Sequence, residues 1–258
     1  DAQSRERFQR EARAAAKLHH PNAVVVHDFG QDPDGTTYIV MEYLEGRSLR
    51  DVMTEEKTIA LPQAVSIMKQ ACAAIEAAHR LGIIHRDIKP ENILFPSDIS
   101  HVYLSDFGAS RFSPVLVDVS TELPGAGSTT YLSPEQIEDN RQTPLSDIYS
   151  LAVVAYEALT GKLPFNINIS AFQQMKLKIE GRIIDPWEWN RNLSSTTRKA
   201  LLAGLNVNPQ NRPSSATEFW KLLTEQLNIS CSQCGRINRE SARFCGSCGT
   251  SLKNIEHI

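Results

Sequence analysis

One charged stretch, His85-Arg86-Asp87-Ile88-Lys89-Pro90-Glu91-Asn92, lies between two apolar runs, with Leu81, Ile83 and Ile84 before it and Ile93, Leu94 and Phe95 after it. No other stretch restricts the fold as much. Both flanks belong in a core, while an acid, a cation and an amide between them must be held in a fixed loop at its edge. A second acid follows on a tight turn, Asp106-Phe107-Gly108. The fold must bring these two short segments together around a common site.

The 258 residues are enough for one large domain or two smaller ones, and 41% apolar with 22% charged residues is ordinary for a globular chain. A formal net charge of -3 gives no reason to expect nucleic acid or an anionic membrane as partner. No apolar run approaches the roughly 20 residues of a membrane helix, and no signal peptide opens the chain, so the expectation is a cytoplasmic protein.

Gln3 to Leu18 has helical periodicity, with Phe8, Ala12, Ala15 and Leu18 on one stripe and Glu11 along that stripe. His20-Pro21-Asn22 ends it. Two strands are predicted at Val24–Phe29 and Thr37–Glu42, joined by the turn Asp32-Pro33-Asp34-Gly35. Leu61-Pro62 opens a long amphipathic helix that Gly82 stops, with Val65, Met68, Cys72, Ile75 and Leu81 near one face. Thr143-Pro144 caps a helix that runs to Thr160 and ends at Gly161; its apolar residues cover nearly all sides, which predicts central burial. Shorter helices are expected near 170–180, 194–204 and 214–227.

The acids and the amide fit phosphoryl transfer. Asp87 can take the proton of an attacking hydroxyl, Lys89 can neutralise the transferred phosphoryl group, and Asn92 with Asp106 can hold Mg2+ against the phosphates. The stretch 85–92 resembles the catalytic loop of eukaryotic-type protein kinases, and Asp106-Phe107-Gly108 resembles their magnesium-binding turn. Lys89 at its position resembles serine/threonine rather than tyrosine kinases, of a bacterial type.

That resemblance implies an α+β, protein kinase-like fold with a partial N-lobe over 1–45 and an α-rich C-lobe over 46–227. It implies an ATP-dependent serine/threonine kinase acting on protein substrates. Glu11 takes the position of the helix Glu that pairs with an ATP-holding Lys. Met41 matches the gatekeeper, Glu42-Tyr43-Leu44 the hinge that receives adenine, and Leu94 the apolar floor beneath it. His85 and Phe107 match members of a stacked column behind the site. Asp147 matches the acid that holds the catalytic loop's backbone.

The residues from Asp106 to Glu135 read as an activation segment rich in hydroxyls, with Thr121 as the candidate phosphosite. Ser128 stands where the family usually has Thr and keeps a hydroxyl able to bond Asp87. Glu135 and Arg212 match a structural ion pair, and Ala152 replaces a usual Gly. No Gly-rich loop or strand Lys precedes Glu11, and the chain opens at Asp1. The expectation is therefore a longer parent protein that supplies both, with weak or no activity from residues 1–258 alone. A pseudokinase scaffold is the competing reading.

Cys231-Ser232-Gln233-Cys234-Gly235 and Cys245-Gly246-Ser247-Cys248-Gly249 are two Cys-x-x-Cys knuckles within 228–258. Four thiolates at this spacing suit a structural Zn2+ in a zinc ribbon, with disulfides as the alternative. The ribbon could also serve as a binding module for a protein partner.

Overall fold

The computed structural model describes residues 15–96, 98–107, 129–139, 141–166, 169–224, 228–239 and 242–252. Of the first predicted helix only its end is described, where Ala15 and Leu18 are buried as the stripe requires. Glu11, Ser128, Thr121 and the rest of 108–128 lie outside the described residues.

The hairpin is β1, Val26–Gln31, and β2, Thr37–Met41, paired antiparallel with Gly30 opposite Tyr38. β1 starts two residues later than its predicted beginning at Val24. Val24 instead donates its N–H to the Leu104 carbonyl at 3.0 Å, and the Leu104 N–H donates to the Asn22 carbonyl at 2.9 Å. A long-range pairing thus claims the residues that alternation assigned to the hairpin.

β3, Arg47–Ser48, β4, Ile93–Phe95, and β5, Tyr103–Leu104, form a small antiparallel sheet in the order β3-β4-β5. The linker after β2 passes so close to β4 that a Cβ on Gly46 would lie 2.1 Å from the Phe95 carbonyl oxygen. Only glycine fits there.

α1, Leu49–Glu56, starts at a reciprocal cap between Ser48 and Asp51. α2, Leu61–Arg80, has Pro62 in its first turn and buries Val65, Met68, Cys72 and Ile75, as periodicity predicts, but Leu81, expected on the same face, is exposed because the helix ends at Arg80 and Leu81 only caps it. α3 is Pro134–Glu138. α4, Pro144–Thr160, begins at the Thr143 cap and ends on a left-handed Gly161. Every residue from Ser146 to Tyr156 is buried in it, so α4 is the central post of the α-rich region. Each large apolar side chain fully buried there contributes about 1.5–3 kcal/mol.

α5, Ala171–Ile179, α6, Ser195–Gly204, and α7, Ala216–Thr224, follow. Ala152 meets α6 at Gly204, where an added Cβ would sit 2.6 Å from the Ala152 methyl carbon. The glycine on α6 makes room for the alanine on α4.

β6, Asn228–Ser230, and β7, Ile237–Arg239, pair antiparallel beside the first knuckle. No helix among the described residues is long and apolar enough to cross a membrane.

Candidate active site and thiolate cluster

The loop from His85 to Asn92 follows α2 and is anchored by α4. The Asp147 carboxylate is fully buried and accepts three hydrogen bonds. These come from the His85 N–H at 2.9 Å, the Arg86 N–H at 2.8 Å and the His79 Nε2 at 2.7 Å. This grip falls on a strained residue, since Arg86 has φ +74°. A non-glycine residue held there costs about 1–3 kcal/mol, and two charge-assisted bonds to adjacent amides can offset it.

His85 is also buried, and burial pushes its imidazole below the ordinary histidine pKa, so the ring is neutral. Its Nε2–H donates to the Ser105 carbonyl at 2.8 Å, and Nδ1 accepts the Asp87 N–H at 3.3 Å. Its ring packs at 4.7 Å, centroid to centroid, against Phe107.

The chemistry-bearing side chains meet above this frame. Lys89 Nζ donates to Asp87 Oδ2 at 2.7 Å, and Asn92 Nδ2 donates to the same oxygen at 3.2 Å and to the Asp87 carbonyl at 2.8 Å. Those bonds leave the Asn92 amide oxygen as the atom able to bind a cation. The Ser105 N–H donates to the Asn92 carbonyl at 3.0 Å, which draws in the next residue, Asp106. Asp106 has φ +64° and accepts from Ser105 Oγ at 3.2 Å. Asp87, Lys89, Asn92 and Asp106 thus share one hydrogen-bonded patch.

The residues expected at the nucleotide lie on β2, on the linker after it and on β4. Leu94 points to the opposite face of β4 from the buried Ile93 and Phe95. Met41 ends β2 and is partly exposed, the Glu42 N–H donates to the Val25 carbonyl at 2.9 Å, and Leu44 is half-buried in the linker.

Several partners have no local signal in the sequence. Arg50 donates to Glu91 Oε1 at 2.8 Å, to Glu157 Oε1 at 2.8 Å and to the Tyr131 hydroxyl. Tyr131 in turn donates to Glu157 Oε2 at 2.5 Å. Arg212 forms the expected pair with Glu135 in bidentate form, both contacts at 2.8 Å.

The two knuckles repeat one hydrogen-bond pattern. The Cys231 N–H donates to the Arg236 carbonyl and Gly235 donates back to Cys231, both at 2.8 Å; Cys245 with Thr250 and Gly249 with Cys245 do the same at 2.7 and 2.9 Å. Gly235 and Gly249 have φ of +70° and +73°, the left-handed turn each knuckle needs. None of the five cysteines is disulfide-bonded in this structure.

The four ribbon sulfurs lie within 4.8 Å of one another, with Cys231–Cys248 at 3.5 Å and Cys234–Cys245 at 3.6 Å. A tetrahedral ion with sulfur ligands at about 2.3 Å requires sulfur separations of about 3.8 Å, so the cluster fits zinc. Main-chain N–H groups of Cys248 and Ser247 lower the Cys245 thiol pKa, whereas the Cys234 thiol, beside the other sulfurs, is pushed up.

The chain belongs to the protein kinase domain family, whose model matches residues 1–224. Residues 230–252 match the zinc-ribbon domain family. The chain is 38% identical to the serine/threonine-protein kinase PknB of Mycobacterium leprae over 216 residues, covering 83% of this chain and 34% of that protein. It is 35% identical over 214 residues to PrkC of Bacillus subtilis, covering 83% and 32%. To pkn3 of Myxococcus xanthus it is 34% identical over 224 residues, covering 83% and 40%. The chain therefore spans less than half the length of these relatives. The crystal structure of the Mycobacterium tuberculosis PknI kinase domain superposes with a TM-score of 0.67 at 25% identity, covering 87% of this chain and 80% of that one.

Proposed function

We propose that the protein transfers the γ-phosphate of ATP to serine or threonine hydroxyls of protein substrates. The observation that carries this reading is the patch in which Lys89 and Asn92 both contact Asp87 while Ser105 joins Asn92 to Asp106. In this mechanism Asp87 orients the acceptor hydroxyl and takes its proton as the oxygen bonds the γ-phosphorus. The bond from that phosphorus to the β,γ-bridging oxygen breaks, and ADP leaves. Lys89, half-buried, balances the charge on the transferred group. Asn92 and Asp106 would hold Mg2+, which neutralises the phosphates when bound. Met41, Glu42, Leu44 and Leu94 would flank adenine, and Glu11 and Ser128 keep the roles the resemblance assigns them.

The boundary we propose places the kinase domain at 1–227 and a zinc-bound ribbon at 228–258, with Cys231, Cys234, Cys245 and Cys248 as the ligands of Zn2+. The free thiols fit the reducing conditions of a cytoplasmic location. A scaffold with no transfer activity would have no use for the hydrogen-bonded set around Asp87.

Asp87→Asn in the full-length protein tests the reading. Phosphate transfer to protein is expected to fall by about 10²–10⁴-fold, the usual contribution of a general base, with ATP affinity retained. An unchanged kcat would remove Asp87 from the chemistry.

A further inference from the structure

Lys178 lies on α5 at 1% exposure, and among the described residues no carboxylate pairs with it. A buried ammonium without a counter-ion must satisfy its three N–H donors in another way. Nζ donates to the carbonyls of Thr129 at 2.8 Å, Thr130 at 2.5 Å and Leu132 at 3.0 Å, and lies 4.6 Å from the centroid of the Phe165 ring. The remaining carbonyl, that of Tyr131, accepts from Ser150 on α4 at 2.7 Å. Two side chains on two helices thus hold four consecutive carbonyls. An apolar side chain would fill the same space without the desolvation cost, so the lysine is explained by the carbonyls it fixes.

The segment held in this way borders the catalytic loop. Its Tyr131 hydroxyl meets Glu91 through Arg50, and Gln136, just beyond it, donates to the Arg86 carbonyl at 3.4 Å. We propose that Lys178 is a positioning residue for the protein substrate. By fixing Thr129–Leu132, it sets the surface on which the acceptor peptide lies, so that its hydroxyl reaches Asp87. This rests on the kinase reading above.

The test uses the full-length protein, magnesium-ATP and a serine peptide free of Lys, Tyr, Cys and His. Lys178→Met is expected to raise the peptide KM about tenfold while the ATP KM stays within about twofold. Lys178→Arg, which keeps charge and donors, should recover most of the loss. An unchanged peptide KM in Lys178→Met overturns the proposal, as does an equal rise in both KM values.

Should Lys178→Met not fold, the wild-type pH profile decides. Burial lowers the Lys178 pKa well below the ordinary lysine value. Two other titratable groups lie near it. Tyr149, with its ring 6.0 Å from Nζ, is pushed up by burial, and Arg212, 5.0 Å from the same ring, is paired with Glu135. The peptide KM should therefore rise as pH climbs through that lowered Lys178 value, at a pH below the ordinary lysine range, with the ATP KM flat. A flat peptide KM overturns the proposal. Wild-type protein that phosphorylates nothing overturns the kinase reading and this one together, whereas active wild type with the outcomes just named overturns this one alone.

Discussion

Arg212→Met provides a quantitative test of how the substrate-side segment is braced. All five guanidinium N–H groups of Arg212 are used. Nη1 and Nη2 meet the two Glu135 oxygens at 2.8 Å, and the other three donors reach the carbonyls of Leu145, Val207 and Asn206 at 2.9, 3.1 and 2.7 Å. Methionine removes every one of these bonds and leaves the buried Glu135 carboxylate with the Ser146 hydroxyl and its own main-chain N–H. Breaking a buried pair from one side costs about 3–5 kcal/mol. A cleft of about 630 Å³ bordered by Glu135, Arg212, Leu145 and Val207 lets water reach part of what is orphaned, which argues against a larger cost. We expect a loss of about 4 kcal/mol, or about 8–16 °C in Tm at the scale of a domain this size.

Urea unfolding followed by the fluorescence of Trp187, Trp189 and Trp220 measures it. Burial alone would raise the Glu135 pKa, but the hydrogen bonds and charge of Arg212 outweigh it and hold the carboxyl below its usual range. A depressed folded-state pKa stabilises above the unfolded value, and that contribution is lost as pH falls through the folded one. The gap between wild type and variant should therefore be full at neutral pH and narrow in acid. Arg212→Met combined with Glu135→Leu should recover at least half the loss, because no lone charge remains. A single-variant loss under about 1 kcal/mol, or a gap that widens in acid, would refute the argument.

Asp147→Asn keeps the size of the side chain but turns an NH2 toward amides that need an acceptor. It is expected to lower kcat by about 10²-fold through displacement of the strained Arg86–Asp87 backbone, with ATP affinity little changed; kcat within twofold of wild type would contradict this. Chelation of zinc should unfold the ribbon and leave the kinase-family transition in place, since metal supplies most of the stability of so small a module. Thiol titration after chelation should find Cys231, Cys234, Cys245 and Cys248 reactive and Cys72 silent, because Cys72 is buried and its thiol pKa is pushed up. Reactivity of the four before chelation equal to that after it would count against a bound metal.

The chemistry of the site was legible in the sequence where it depends on short-range order. The run from His85 to Asn92 turns on itself, so Asp87, Lys89 and Asn92 meet through bonds spanning two to five residues. The ends of α4 are also local, with Thr143 capping its first turn and Gly161 accepting the left-handed exit. Each zinc knuckle closes on its own glycine. α1 carries a local signal too, the Ser48–Asp51 cap, but eight residues give little periodicity to confirm it.

Tertiary structure alone decided the rest, because the partners are far apart in the chain. Arg50 meets groups 41, 81 and 107 residues away, and nothing near it in sequence distinguishes it from a solvated helix arginine. Lys178 reads as a polar residue of an amphipathic helix until the segment ending at Leu132 folds against α5 and gives its ammonium three carbonyls. The late start of β1 has the same origin, since Val24 is taken by Leu104 from across the fold. Hydrogen bonds within one turn follow from residue order, whereas a buried charge finds its acceptors only after the core has brought distant segments together.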